Sequence, residues 1–321
     1  MNQFRSLLPQ GFLLTMGVWS ACGSIAMAQA PITPGVTPVF HSNNHVGFDS
    51  PEGWGLKYFA STSLLSGLPL AEPPEGWKPG SVTLGLELGQ VPHLDAGQRR
   101  IGFGGTSPED LNKTPIFARV VVRVHLTRKL TLIAAAPPPF ELRGVRTRLL
   151  AFGLERPIFT RNNWTVGWRG YGQVGSAKGA FTCSRDILAF APGSPANPTA
   201  CIAESSDVAS LRYAGSEFQV SRRLESAPKL TLHAAAGGNF IDGVFQVHAP
   251  VLGGLDETRL WTRGGTFSTS GGVSYQATAR AAIAVDLFYS PLWVKRTATA
   301  PRTNDGLLNP RVSLTYSLGR N

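Results

Sequence analysis

Ile116-Phe117-Ala118-Arg119-Val120-Val121-Val122-Arg123-Val124-His125-Leu126-Thr127, then Arg128 and Lys129, then Leu130-Thr131-Leu132: this stretch decides the fold. Ile116, Ala118, Val120, Val122, Val124 and Leu126 alternate with Phe117, Arg119, Val121, Arg123, His125 and Thr127. A two-residue period is that of a strand, with an apolar face and a face that carries charge. The two-residue Arg128-Lys129 gap before the pattern resumes marks a tight hairpin. Working outward, the same period recurs at 80–91, 130–138, 145–155, 164–176, 209–223 and 229–240, in a run ending at Tyr275, and at 281–290 and 309–319. The run at 145–155 shows the alternation least cleanly. With the opening stretch, read over 115–127, these make ten strands.

The gaps between the strands alternate in length. Segments 127–129, 156–163, 224–228 and 276–280 are short, 92–114, 177–208, 241–261 and 291–308 are long, and 139–144 is of modest length. Short turns at one end and long loops at the other are the spacing of an up-and-down barrel that crosses a bilayer, with turns on the periplasmic side. Runs of eight to eleven alternating residues also suit a tilted crossing. The expected fold class is all-β: a transmembrane antiparallel barrel over 80–321 with about 10 strands, the alternative being 12. A soluble secreted β-sandwich is the rival, and its strands would be shorter.

The ends of the chain and its composition agree with export. Arg5, the apolar stretch 11–19 and Ala26-Met27-Ala28 read as a signal peptide over 1–28; lipoprotein processing at Cys22 competes, although Trp19 stands where leucine is usual. Arg5 is the one charged residue removed, so the net charge goes from +10 to +9. For an exported chain this excess points to anionic headgroups, anionic solutes or internal ion pairs, and nucleic acid is not an expected partner. Cys183 and Cys201 remain as a pair in a Gly-, Pro- and Ser-rich segment, which predicts a disulfide across that loop. Two cysteines are too few for a structural zinc, and no metal site or cofactor is expected. Lys129-Leu130-Thr131-Leu132 with Ala134–Ala136 recurs as Lys229-Leu230-Thr231-Leu232 with Ala234–Ala236, an echo that hairpin grammar alone explains.

The segment 29–79 precedes the first strand. Ser50 can cap a helix, Pro51 suits its first position, Glu52 favours its positive end and Gly67 can stop it, so a short helix is expected over 51–66, either in the lumen as a plug or against the periplasmic mouth. A strand at 54–64, paired with some of 31–50, is the competing reading that gives twelve strands.

A membrane barrel turns apolar side chains to lipid and polar ones inward. That register sends Arg119, Arg123, His125, Arg169, Glu87, Glu217 and Asp286 into the lumen. In so narrow a barrel they either pair with one another or form a basic constriction that favours anionic solutes. No catalytic residues are expected. His41-Ser42-Asn43-Asn44-His45 superficially resembles the histidine and serine of outer-membrane phospholipases but precedes the first strand; His248 with Asp242, Asp256 and Glu257 is the one rim cluster an omptin-like protease reading could use. Gly102-Phe103-Gly104-Gly105 lacks the strand-to-helix context of a phosphate loop, Pro108-Glu109-Asp110 reads as a turn, and Asp207 as a loop acid.

The chain resembles the bacterial outer-membrane β-barrel proteins as a broad class, through the Ala26-Met27-Ala28 ending of the signal, the ten alternating runs and the final Val312-Ser313-Leu314-Thr315-Tyr316-Ser317-Leu318. The class usually ends on an aromatic residue; here Leu318-Gly319-Arg320-Asn321 runs past that pattern, with Tyr316 the nearest aromatic. The resemblance implies the cell outer membrane of a Gram-negative-type bacterium, with outer-membrane lipid and the barrel assembly machinery as partners. The functional expectation is a narrow channel or a structural, surface-exposed barrel favouring anionic solutes. A rim enzyme acting on lipid or peptide is the alternative.

Overall fold

The computed structural model describes residues 38–70, 78–251 and 253–318. The signal peptide expected over 1–28 lies outside them. Ten long strands form the wall: β1 (Val82–Gln90), β2 (Ile116–Thr127), β3 (Leu130–Ala136), β4 (Val145–Arg161), β5 (Trp164–Gly179), β6 (Asp207–Arg223), β7 (Leu230–Gln246), β8 (Arg259–Gln276), β9 (Ala281–Ser290) and β10 (Leu307–Leu318). Each pairs antiparallel with its sequence neighbours, and β10 closes the wall on β1, from Arg311 opposite Gly89 to Leu318 opposite Val82. Closure gives every strand a ladder on both sides over at least part of its length, so the wall has no free edge strand. The barrel has ten strands, not twelve. The two further strands of that sheet are short: Asn43–His45 runs parallel to β8 at Arg259–Trp261, and Glu141–Leu142 folds back on Val145–Arg146.

The side-chain distribution inverts that of a soluble protein. Leu84, Leu86 and Leu88 on β1 are exposed, Leu86 by 41%, and so are Leu150, Phe152 and Leu154 on β4, Phe218 on β6 and Val285 and Leu287 on β9. Arg169 at 0% and Glu155 at 1% are buried. An apolar belt of this extent around a polar interior is a lipid-facing surface, and it excludes the soluble sandwich. Phe159, Trp164, Tyr275 and Tyr316 are exposed near the turn end, where a membrane barrel carries one of its aromatic girdles.

Two strands run further than their sequence pattern predicts. β4 continues through the expected turn at 156–163, because Pro157 sits at a register shift opposite Gly167. Proline cannot donate to the ladder, so the strand bulges there and the inward–outward parity resets, which hides the continuation from a period-two reading. The real turn is Asn162-Asn163, with Asn162 at φ 53, a region asparagine tolerates. β7 and β8 stay paired up to Gln246 opposite Arg259, so the long gap expected from 241 begins only at 247.

Helix α1 (Pro51–Thr62) stands in the mouth at the loop end and not at the periplasmic mouth, because its partners are in the long loops. Its N-cap is Ser50, whose hydroxyl accepts from the Gly53 amide at 3.2 Å, and Pro51 occupies the first position. Two loops grip it through three hydrogen bonds: Trp54 Nε1 donates to the Asp305 carbonyl, Lys57 Nζ to that of Trp293 and Tyr58 Oη to that of Pro92. The helix ends at Thr62 rather than 66. From Ser63 to Leu70 the chain descends the lumen in an irregular path, and Leu70 ends beside Gly167, near the turn end of β5.

Candidate functional site

A non-helical segment at membrane depth must have its backbone polar groups satisfied by protein, since no lipid atom will do it. The inward faces of the strands supply those partners. Arg119 of β2 holds Glu87 of β1 through Nε and Nη2 at 2.8 and 2.9 Å, and donates to the carbonyls of Ser63 and Leu64 at 3.0 and 3.2 Å. Arg311 of β10 donates to the carbonyls of Leu64 and Ser66 at 3.1 and 2.8 Å, and its guanidinium lies 4.0 Å from the Phe288 ring centre. Arg169 of β5 bridges Glu155 and Glu217 at 2.6 and 2.7 Å and donates to the Leu68 carbonyl. Arg123 reaches the Pro69 carbonyl at 3.2 Å. The donor side of the segment is met as well: the Gly67 amide donates to Glu217 at 3.0 Å and the Leu65 amide to Tyr213 Oη at 2.9 Å.

Helix α1 stops where these arginines begin, because carbonyls that would have accepted from helical amides accept from guanidinium groups instead. Four arginines and three glutamates thus form one lattice around eight residues of backbone. Such a lattice stabilises only as a complete set, since a buried charge stripped of its partner costs several kcal/mol, roughly 3–5.

The remaining inward residues of the sequence reading are placed apart from that lattice. His125 Nδ1 lies 2.9 Å from Thr131 Oγ1, and Asp286 forms an ion pair with His233. Sequence reasoning passed over Glu155, Arg311, Tyr213 and His233. Glu155 stood at the end of the poorly patterned fourth run. Arg311 sat on the polar side of the tenth run, and its inward register was the signal that could have singled it out.

At the loop end, Asp207 is fully buried and accepts from the Phe181 and Thr182 amides, Ser205 Oγ and the His248 amide. It staples the 180–206 loop to the 247–258 loop. The Cys183–Cys201 disulfide predicted from sequence is formed within the same loop. Of the rim cluster, His248 and His41 both face Glu257, at 3.4 and 3.2 Å, while Asp242 pairs with Arg263. The residues of 41–45 are therefore held at the rim, His41 by Glu257 and Asn43–His45 by β8. Glu109, read from sequence as part of a turn, is drawn inward to 6% exposure. Burial first, and then the Asp207 carboxylate, push its carboxyl well above the usual range.

A closed ten-stranded barrel with an apolar exterior and a charged, hydrogen-bonded interior is an outer-membrane β-barrel of the Gram-negative type, and this chain is one. No family model and no curated protein matches the chain. Solved structures similar to it include three at low identity. The outer membrane protease OmpT of Escherichia coli is 10% identical with a TM-score of 0.38, over 80% of this chain and 100% of that one. Ail of Yersinia pestis, solved with the heparin analogue sucrose octasulfate, is 10% identical with a TM-score of 0.29, over 74% and 97%. The toluene transporter TodX of Pseudomonas putida is 11% identical with a TM-score of 0.29, over 77% and 68%.

Proposed function

We propose that this protein is a non-enzymatic outer-membrane barrel, closed at rest by its own residues 63–70, that passes small solutes only when this segment is displaced. The observation that carries the reading is the lattice of Arg119, Arg123, Arg169 and Arg311 on the segment's carbonyls. The same lattice speaks against these arginines selecting anions while the segment is in place, because most of their donors are directed to Glu87, Glu155, Glu217 and the backbone, and the guanidinium groups are buried. The rim supports the non-enzymatic half of the reading. His248 and His41 share the Glu257 carboxylate, and Asp242 is engaged by Arg263, so among the described residues of this cluster Glu257 and Asp242 each already have a basic partner.

Ser66 Oγ lies 3.5 Å from Ser268 Oγ on β8, which offers a lock. In planar bilayers the wild-type barrel should show brief, infrequent conductance events, and the oxidised S66C/S268C variant should show none. A wholly silent wild-type barrel would leave the closed state intact and favour a surface role. A steady open-pore conductance, or events that persist in the locked variant, would sink the proposal.

A further inference from the structure

Between helix α1, the 91–115 loop and the outer ends of β7 and β8 lies a cleft of about 320 Å³. That is the small end of the range for small-molecule sites. Leu56 and Phe59 of the helix, Ile101 and Phe181 of two loops and Phe245 of β7 give it apolar walls. Its charges are all of one sign. Glu52, Glu109 and Asp256 line it, and among the described residues no lysine, arginine or histidine does, in a chain with 30 Lys and Arg against 20 Asp and Glu.

Two of these acids are already engaged. Glu52 accepts from the Gly104 amide at 2.6 Å, and Asp256 accepts from the Thr258 amide at 2.8 Å. Glu109 is different. Its Oε2 is buried with no partner at good hydrogen-bond geometry among the described residues, and so is Thr182 Oγ1, which lines the same cleft close enough to Glu109 to favour its charged form. Buried polar atoms of a folded protein are almost always satisfied, so an unfilled pair facing an apolar cavity marks where a ligand's polar head belongs.

We propose that this cleft binds small, largely apolar molecules carrying one protonated amine, the apolar body against Leu56, Phe59 and Phe245 and the ammonium on Glu109 and Thr182. An ammonium supplies donors only, which suits a carboxylate and a hydroxyl acting as acceptors. It also brings the positive charge that the three acids leave uncompensated. The site lies on the outer side of the lumenal segment and does not depend on whether the barrel conducts. Burial first, then the Asp207 carboxylate, with smaller contributions from Asp256 and Asp110, push the Glu109 carboxyl well above its usual range, while a hydrogen bond from Thr182 acts in the opposite sense. The ammonium pairs with the carboxylate form and so competes with the proton for Glu109, and binding strengthens as pH rises.

The test is calorimetric titration of the full barrel in phosphatidylcholine nanodiscs, with empty nanodiscs subtracted. The probes are 2-phenylethylammonium, 2-phenylethanol and 3-phenylpropanoate. At about pH 8 the ammonium should bind saturably and at least about tenfold more tightly than the other two, and it should bind more weakly at about pH 5.5. Glu109→Gln should lower ammonium affinity by about tenfold, the loss of one charge-assisted hydrogen bond. Val46→Phe, which fills the cleft from its half-buried lip and leaves the carboxyl in place, should abolish binding. Equal binding of 3-phenylpropanoate, no saturable ammonium binding, or unchanged affinity in Glu109→Gln would each overturn the proposal. Should Glu109→Gln not fold, Val46→Phe decides alone, and unchanged affinity there is also fatal.

Discussion

Arg169 concentrates the chemistry of the lumen in one side chain. It holds two glutamates and a backbone carbonyl from a position with no solvent contact. Replacing it with methionine keeps the volume, takes from Glu217 its cation and leaves Glu155 with Arg123, at 4.0 Å. The expected cost is about 3–5 kcal/mol, read as a lower urea midpoint for the barrel in lipid vesicles. Lys57, outside the membrane wall, shows the same physics on a titratable group. Burial, then the charge of Arg302, lower its ammonium to about 8 despite the opposing pull of Asp49. Its folded value lies below its unfolded one, so the unfolded chain binds more protons between about 8 and 10.5 and stability rises with pH across that window. Thermal unfolding followed from pH 8 to 10 should show this rise in the wild type, and Lys57→Met should flatten it.

Two elements are built as devices rather than as wall. The first is α1 with its continuation through Leu70. Gly67 lies at φ +79, and a Cβ there would come within 2.9 Å of the Ser270 Cβ. Gly67→Val combines a left-handed backbone with that contact and should weaken the lumenal segment by about 1–3 kcal/mol. It should increase conductance events in bilayers while the wall stays folded. The second device is the 180–206 loop, tied by Cys183–Cys201 and by Asp207. The disulfide spans 18 residues, for which loop closure is worth roughly 3 kcal/mol. That stabilisation belongs to the loop. A Cys183→Ala/Cys201→Ala variant should be nicked much faster by protease within 180–206, with the barrel's gel mobility before and after heating unchanged.

At the scale of the molecule, stability comes from an arrangement that water alone would not support. The wall offers leucine, valine and phenylalanine to lipid and spends its charges inside, so the barrel should run as a compact species in unheated detergent samples and shift on heating. An arginine at the middle of the lipid face should cost about 2–4 kcal/mol of insertion free energy. Leu86→Arg places one there, and reduced yield of the heat-shifting form would report it. Thr83→Ser, on the inward face of the same strand, should leave the yield unaltered.

The sequence by itself determined the ten strands, the end at which they turn and the inward register of Arg119, Arg123, Arg169 and Glu217, because lipid on one side and a polar interior on the other force a strict two-residue period. It also determined the capped start of α1 and the cysteine pair, since both are local in origin. The exceptions are local in origin too: Pro157 broke the period of β4 and with it concealed Glu155. Only the tertiary structure decided where the four arginines spend their hydrogen bonds. Their acceptors are carbonyls of residues 63–70, backbone groups with no signature in sequence, brought to depth by closure of β10 on β1. The acid-lined cleft at the mouth likewise joins residues from the N-terminal helix, three loops and two strands, and the Glu109 carboxyl is buried only because the loops pack over it.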